Sequence, residues 1–191
     1  MTSINRMKVQ EEGKKEMRKQ QKGFSLIELL IVVAIILIIA AIAIPNLMRA
    51  KMAANDSSAA AGERTIVTGE VGYVAAYPTI GYTALIALGG TGAPCTPSST
   101  GACLIDPNLA SNGGGESTTA STNGKSGYQF AAGPGTNVLT QFITTATPTS
   151  ASSGTKYYCA VEDGVIRSTV SAGGTTPIPA ATCYTTSPLA N

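Results

Sequence analysis

The stretch QKGFSLIELLIVVAIILIIAAIAIP, residues 21–45, decides the fold. Residues 24–44 hold only two polar side chains, Ser25 and Glu28. As an α-helix they would span roughly 32 Å at about 1.5 Å per residue, which matches the hydrocarbon thickness of a bilayer. A chain of 191 residues has no core large enough to cover such a helix on all sides. The stretch therefore predicts a transmembrane segment.

The charges around this segment predict its orientation. Residues 1–23 contain seven Lys or Arg against three Glu, whereas only Arg49 and Lys51 follow the apolar run closely. The positive-inside rule then places the N-terminus in the cytoplasm and the last 140 or so residues outside. A cleaved secretory signal is the alternative, because residues 41–43 resemble an A-x-A cleavage site. The apolar run is longer than an ordinary signal core and carries a charge near its start.

The segment KGFSLIELLIVVAIILIIAAIAIP resembles the N-terminal processing and anchoring segment of type IV pilins and pseudopilins. The resemblance covers residues 22 to about 50. It implies that residues 1–23 are a cytoplasmic leader, that a prepilin peptidase cuts between Gly23 and Phe24, and that Phe24 is then N-methylated. This leader has acidic members and is longer than the shortest leaders of the family.

Glu28 is the residue in this segment that needs an explanation. A charged side chain at membrane depth costs about 2.5 to 3.5 kcal/mol, so it needs a partner or a function. Cleavage before Phe24 would create an amine one helical turn from Glu28. The carboxylate could pair with the amine of its own chain or, as proposed for filament assembly in the family, with that of a neighbouring subunit. The other alternative is that Glu28 only extends to the inner interface.

The helix is expected to continue beyond the membrane. Pro45 should kink it rather than end it, and is counted with Glu28 as an assembly residue. The helical pattern continues to about Tyr77, which gives a long helix over residues 24–77 with a transmembrane half at 24–44.

Three acids, Asp56, Glu63 and Glu70, recur every seven residues and fall inside the apolar arc of this helix. They are interpreted either as acids at the edge of a partly solvated face, which is favoured, or as partners in salt bridges between subunits.

Residues 78–191 are predicted to form a head of loops and strands. A short helix is expected around residues 82–88, and residues 89–126 are loop-like because 20 of these 38 residues are Gly, Ser or Thr. The predicted strands cover residues 127–132, 138–146, 155–161 and 165–170. Asp163-Gly164 indicates a two-residue hairpin turn, which would place Tyr157 and Cys159 on the sheet face that covers the helix. The expected fold is α+β and pilin-like, with a long N-terminal α-helix packed against an antiparallel β-sheet of about four strands.

The four cysteines, Cys95, Cys103, Cys159 and Cys183, all follow the apolar run. They show no metal-type CxxC spacing, and the chain has no His to help ligate a metal. An even number of cysteines beyond a membrane segment predicts two disulfides in an oxidising compartment. Three pairings are possible. Cys95 with Cys103 and Cys159 with Cys183 are favoured because sequence neighbours meet most often.

The composition argues against catalysis. The chain has no His, only 13% charged residues and no nucleophile motif, so it is predicted not to be an enzyme and to hold no cofactor or metal. Residues 24–191 carry six basic and eight acidic side chains, which argues against direct nucleic-acid binding. An anchored enzyme or small-ligand binder is the alternative class. Asn55-Asp56-Ser57 matches a glycosylation sequon of low specificity.

The resemblance implies a function. The chain would be the precursor of a structural subunit of a type IV pilus, a homo-oligomeric helical filament for adhesion, twitching motility or DNA uptake. Its partners would be the prepilin peptidase and methyltransferase, the pilus assembly platform with its ATPase machinery, and the inner membrane. It would cross the inner membrane once, with its head in the periplasm, and become extracellular on assembly.

A pseudopilin of a type II secretion system is the alternative within the same family. The main pseudopilin typically has a calcium site formed by acidic residues in its C-terminal loops. Here no Asp or Glu follows Arg167, which favours the pilus.

Overall fold

A computed structural model describes residues 23–90, 94–110, 125–170 and 178–189. Four helices and four strands lie in these ranges: α1 Leu26–Ala76, α2 Leu85–Leu88, α3 Pro107–Ala110, β1 Tyr128–Pro134, β2 Phe142–Pro148, β3 Lys156–Val161, β4 Arg167–Val170 and α4 Ala180–Thr185. The strands form one antiparallel sheet in the order β1-β2-β3-β4. A long N-terminal helix with a four-stranded antiparallel sheet confirms the predicted α+β, pilin-like fold. The chain divides into two compact units, which meet between Ile42 and Ala43.

The first unit contains most of the apolar half of α1. Its large apolar side chains, from Leu26 to Ile42, are exposed in the structure. Within the described ranges, α1 is the one helix that is long and apolar enough to cross a membrane. A continuous apolar surface of this kind marks a membrane or protein contact, which agrees with the predicted transmembrane half.

The second unit contains the rest of α1 and the head. Pro45 lies inside α1, so the helix does continue through it; the predicted kink stays a prediction. The helix ends at Ala76, one residue before the expected boundary. Its last turn closes with a hydrogen bond from Tyr77 N to Tyr73 O of 2.8 Å, and Pro78, which lacks a backbone donor, follows.

The sheet of the second unit is buried on both faces. On one face Phe130, Tyr158 and Ala160 pack in a core with Ile66 and Tyr73 of α1. On the other face a smaller core contains Ile143, Cys159, Val161, Ile178 and Cys183. The strands are therefore held from two sides, by α1 and by the C-terminal segment that includes α4.

Gly62 permits the close approach of α1 to the sheet. A Cβ at Gly62 would lie 2.7 Å from Cε1 of Phe130, a buried side chain of β1. Gly72, on the same helix, has more space, because a Cβ there would meet Leu104 at 3.7 Å.

The second predicted strand began too early. The structure starts β2 at Phe142, and residues 138–140 form a turn. Asn137 sets this turn, since its Oδ1 accepts the backbone N–H of Leu139 at 3.1 Å and its carbonyl accepts that of Thr140 at 3.1 Å. Asn side chains commonly bond the backbone two residues on, and this local bond outweighs the β propensity of Val138.

The predicted register of the hairpin was wrong by one residue. Gly164 N donates to Val161 O at 2.9 Å, and Gly164 has φ +69°. These are features of a three-residue loop with a glycine in the left-handed region. Cys159 therefore pairs with Arg167. A one-residue shift exchanges the two faces of a strand. The even-numbered Tyr158 and Ala160 therefore cover α1, and the odd-numbered Cys159 faces the smaller core.

Two disulfides are present, Cys95–Cys103 and Cys159–Cys183, the pairing that the sequence favours. The second joins β3 to α4. The short helices α3 and α4 had not been predicted. For α3 a signal existed, because Asp106 precedes Pro107 and its Oδ1 accepts the Asn108 N–H at 3.1 Å, as expected of an acidic residue before a helix that begins with proline. Residues 91–93 and 111–124 of the predicted loop region lie outside the described residues.

Candidate functional site

The predicted cleavage step lies in an extended segment before the first helix. Residues 23–25 are not helical, and α1 begins at Leu26. Phe24 is 89% exposed, and no atom lies within 4 Å of a Cβ built on Gly23. The peptide bond between Gly23 and Phe24 is therefore open to approach in the described structure. The leader up to residue 22 lies outside the described residues.

Glu28 has a local partner that the sequence analysis missed. The backbone N–H of Ser25 donates to Oε2 of Glu28 at 2.9 Å. Ser25 is the residue before the helix and Glu28 is its third residue, so this bond is one half of a capping box. The S-x-x-E spacing of residues 25–28 is the sequence signal for this bond. Glu28 thus satisfies an otherwise free N–H at the start of α1.

The three heptad-spaced acids lie elsewhere than predicted. Asp56, Glu63 and Glu70 are 8%, 0% and 0% exposed, inside the head's own core. Both interpretations from the sequence were therefore wrong for this chain: the acids are not at a solvated edge, and they are not displayed for salt bridges with a neighbour. Their burial explains why they lie inside the apolar arc of α1.

Both carboxylate oxygens of Asp56 accept hydrogen bonds. Its Oδ1 accepts Tyr128 Oη at 2.5 Å and Thr155 N at 2.9 Å, and its Oδ2 accepts Thr155 Oγ1 at 2.5 Å. The carboxylate therefore joins α1 to β1 and to the start of β3. Burial, followed by the hydrogen bond to Asp56, raises the pKa of Tyr128 far above its ordinary range, which keeps the phenol as a donor. Next to it, Asn55 of the sequon donates from Nδ2 to Ser153 O at 2.7 Å.

Glu63 and Glu70 have far fewer donors. Glu63 Oε2 accepts the hydroxyl of Thr144 on β2, and Glu70 Oε2 accepts Thr83 N at 3.2 Å. The Oε1 atoms of both residues are buried and have no hydrogen-bond partner among the described residues. A buried carboxylate with so little compensation is costly unless it takes up a proton.

The pKa values agree with this geometry. Burial raises the pKa of Glu63 from 4.5 to about 8, and the hydrogen bond from Thr144 lowers it only in part. Burial likewise raises the pKa of Glu70 from 4.5 to about 7, partly offset by the Thr83 N–H. Desolvation is the larger cause in both cases, and within the described ranges no opposite charge contributes to either shift.

The cations of the head pair with other acids or lie at the surface. Arg167 pairs with Asp163 in the hairpin loop and holds the pKa of that carboxyl below its usual range. Lys125 approaches Asp106 at 4.0 Å. Glu162 accepts the Tyr184 hydroxyl at 2.6 Å. Among the described residues, no group of three or more His, Cys, Asp or Glu comes together that could hold a metal ion.

Comparisons with known proteins agree on the N-terminal segment. The model of the prokaryotic N-terminal methylation motif matches residues 18–44. A similar protein is the type IV wide pilus major component PilA4 of Thermus thermophilus, with 62% identity over 39 residues. That alignment covers 20% of this chain and only 30% of the relative's length. No solved structure matches the chain.

The motif match and the structure concern the same N-terminal residues. The methylation motif contains the Gly23–Phe24 step and most of the apolar half of α1. The described fold adds the long helix and the four-stranded antiparallel sheet. By its N-terminal motif and its fold, the chain is similar to the type IV pilin and pseudopilin family.

Proposed function

We propose that the chain is the precursor of a structural subunit of an extracellular type IV pilus. The observation that supports this most directly is the exposed, extended Gly23–Phe24 step next to a helix whose apolar half is uncovered. Such a helix needs lipid before assembly and other subunits after it. The name of the similar protein, a wide pilus component, favours the pilus over the secretion pseudopilus.

The processing steps follow from this proposal. A prepilin peptidase removes residues 1–23 and its methyltransferase activity modifies the new N-terminus of Phe24. Residues 24–44 hold the subunit in the inner membrane, with the head in the periplasm, until the assembly platform and its ATPase move it into the filament. Adhesion, twitching motility and DNA uptake are the roles such a filament would serve.

In assembly, Glu28 pairs with the Phe24 amine of the neighbouring subunit. Two opposite charges in an apolar medium attract strongly, and leaving either of them alone there is costly. In the described structure Glu28 is occupied only by the backbone N–H of Ser25. The carboxylate therefore keeps acceptor capacity for a second donor, since an ionised carboxylate accepts at both oxygens.

The test separates the capping role of Glu28 from its charge. Glu and Gln both serve in a capping box, so Glu28→Gln keeps an acceptor for Ser25 N but removes the charge, whereas Glu28→Ala removes both. We expect both variants to be cleaved and both to lose sheared surface filaments by at least tenfold. Filament yield is measured by quantitative blotting, and cleavage by intact mass, which also reports an N-methylated Phe24 start.

Two results would contradict parts of this proposal. Normal filament yield from Glu28→Gln would mean that Glu28 acts as a cap and not as a charged assembly residue. Recovery of the mature wild-type chain from the periplasm, with none in sheared surface filaments, would favour the pseudopilin of a type II secretion system.

A further inference from the structure

Glu63 and Glu70 place two carboxyl groups in the contact between α1 and the rest of the head. Both residues are 0% exposed. Glu63 faces Thr144 of β2, and Glu70 faces Thr83 in the connection between α1 and α2. Counting donors from the described residues, each has one oxygen with a single donor and one buried oxygen with none. A neutral carboxyl group suits such a site much better than an ionised one.

The comparison with Asp56 on the same helix shows that the lack of donors is particular to these two positions. Asp56 receives three hydrogen bonds from two strand-side residues. Both of its oxygens therefore have donors. Ionisation of Glu63 or Glu70 in the packed state is costly, and separation of the packed surfaces, which admits water, removes that cost.

In the part of the chain that the structure describes, no charged neighbour compensates either group. Burial raises the pKa of each residue, and one hydrogen bond lowers it in part. Among the described residues, the titratable and charged groups on the elements that pack around this part of α1 are tyrosines, Asp56 with its donors, exposed acids, and cations that are exposed or paired with another acid: Tyr73, Tyr77, Tyr82, Tyr128, Tyr158, Asp106, Glu162, Asp163, Arg64, Lys125, Lys156 and Arg167.

We propose that Glu63 and Glu70 form a proton-dependent latch between α1 and the head, which is closed while both carboxyl groups are neutral. The latch opens first at Glu70. There the single partner belongs to a connecting segment, residues 77–84, whereas Glu63 lies under the sheet. The smaller rise in the pKa of Glu70 agrees with this order. Ionisation of Glu70 lets water enter between α1 and this connection.

The sign of the pH dependence follows from linkage. A carboxyl group whose pKa is higher in the closed state than in the open state favours closure fully below the open-state value, here about 4.5. That contribution is lost as the pH rises toward the closed-state value, about 7 for Glu70 and about 8 for Glu63. For Glu70 alone, raising the pH from 5.5 to 8.5 should increase the opening equilibrium by about 30-fold.

Hydrogen exchange tests the latch on the full-length chain in detergent micelles. Exchange of the peptide that covers residues 77–88 is compared at pH 5.5 and 8.5 after division by the intrinsic chemical rate. We expect a loss of protection of about 30-fold in the wild-type chain and of less than threefold in Glu70→Gln. Glu162→Gln, a neutralised exposed acid, is the matched control and should retain the wild-type response.

A second measurement does not depend on any variant. In the folded chain labelled with ¹³C at glutamate carboxyl groups, two resonances should titrate at or above pH 7. The proposal is overturned by equal protection at the two pH values, by a pH response that persists in Glu63→Gln/Glu70→Gln, or by titration of all the glutamates near 4.5.

Discussion

The hydrogen bonds to Asp56 give the most quantitative prediction about the stability of the head. Asp56 lies on α1 and is 8% exposed. Its three donors come from Tyr128 on β1 and from Thr155, just before β3. The perturbation is Asp56→Ala, which removes the acceptor and leaves the donors in place.

The expected cost can be worked out bond by bond. Hydrogen bonds to a charged group contribute about 1.5 to 3 kcal/mol each. At the lower end of this range, three bonds amount to about 4.5 kcal/mol. Tyr128 keeps an alternative acceptor, Lys156 O at 2.8 Å, which returns about 1 kcal/mol. Thr155 is exposed, so its freed donors can reach water. We therefore expect Asp56→Ala to destabilise the head by about 3.5 kcal/mol.

Urea unfolding of the full chain in micelles, followed by near-UV circular dichroism, measures this cost. The signal comes from tyrosines, since the chain has seven Tyr and no Trp. A constant slope against urea concentration would show that the variants unfold the same surface. Tyr157→Phe is the control, because Tyr157 packs at the smaller core and its hydroxyl has no hydrogen bond in the described structure. It should change stability by less than about 0.5 kcal/mol.

A double-mutant cycle decides whether the Tyr128 bond is the cause. Tyr128→Phe should cost about 1.5 to 2 kcal/mol in the wild type, at the lower end of the range for bonds to a charged group. In the Asp56→Ala background it should cost at least about 1 kcal/mol less, because residues in one hydrogen-bond network are coupled. A cost below about 1 kcal/mol for Asp56→Ala, or equal costs of Tyr128→Phe in both backgrounds, would refute the reasoning.

Two further predictions use matched pairs of substitutions. Gly62→Ala should destabilise the head by about 1 to 2 kcal/mol, because the gain in helix propensity of about 1 kcal/mol is outweighed by overpacking against the aromatic ring of β1. Gly72→Ala has space and should stabilise it by up to about 1 kcal/mol, so equal effects in urea unfolding would argue against the close approach. Thr144→Val removes the one donor to Glu63 and should cost about 1 kcal/mol at pH 5 and about 2 to 3 kcal/mol at pH 9, where the carboxyl group is ionised. Thr145→Val, which replaces a buried hydroxyl with no partner, should be neutral or stabilising at both pH values, and a pH-independent cost for Thr144→Val would count against the bond.

The elements with long, strong patterns could be predicted from the sequence. The helix from Leu26 to Ala76 follows from an apolar run, a continued helical spacing and a terminating Pro78. The four strands follow from β-branched and aromatic runs between turn residues. In each of these cases one local signal extends over many residues, so an error of one or two residues does not change the element.

The register of the hairpin could not be fixed in the same way. Glu162, Asp163 and Gly164 are compatible with a two-residue loop or a three-residue loop, and these differ by one residue. The choice depends on which strand face finds an apolar partner. Here Tyr158 and Ala160 meet α1, while Cys159 meets Cys183 from a distant part of the chain. That information is tertiary, and no window of sequence around the turn contains it.

The burial of the acids on α1 was unpredictable for a related reason. Their seven-residue spacing placed Asp56, Glu63 and Glu70 on the apolar side, but charge alone argued for solvent. The donors that make burial possible come from Tyr128, Thr155, Thr144 and Thr83, which are 13 to 99 residues away in the chain. For Glu28 the reverse holds. Its capping partner Ser25 is local, and its S-x-x-E spacing was visible from the start.

The disulfide between β3 and α4 determines how mechanical load would travel through a subunit. A pull on the C-terminal segment enters β3, an interior strand, through the covalent bond from Cys183 to Cys159. The edge strand β4 is only four residues long and is held by hydrogen bonds alone, to β3 on one side and to residues 187–189 of the C-terminal segment on the other. Once the hydrogen bonds between residues 187–189 and β4 have broken, the force reaches β3 through the disulfide and no longer passes through β4. In the fibre proposed above, the load would then be carried by β3 and by its hydrogen-bonded neighbour β2.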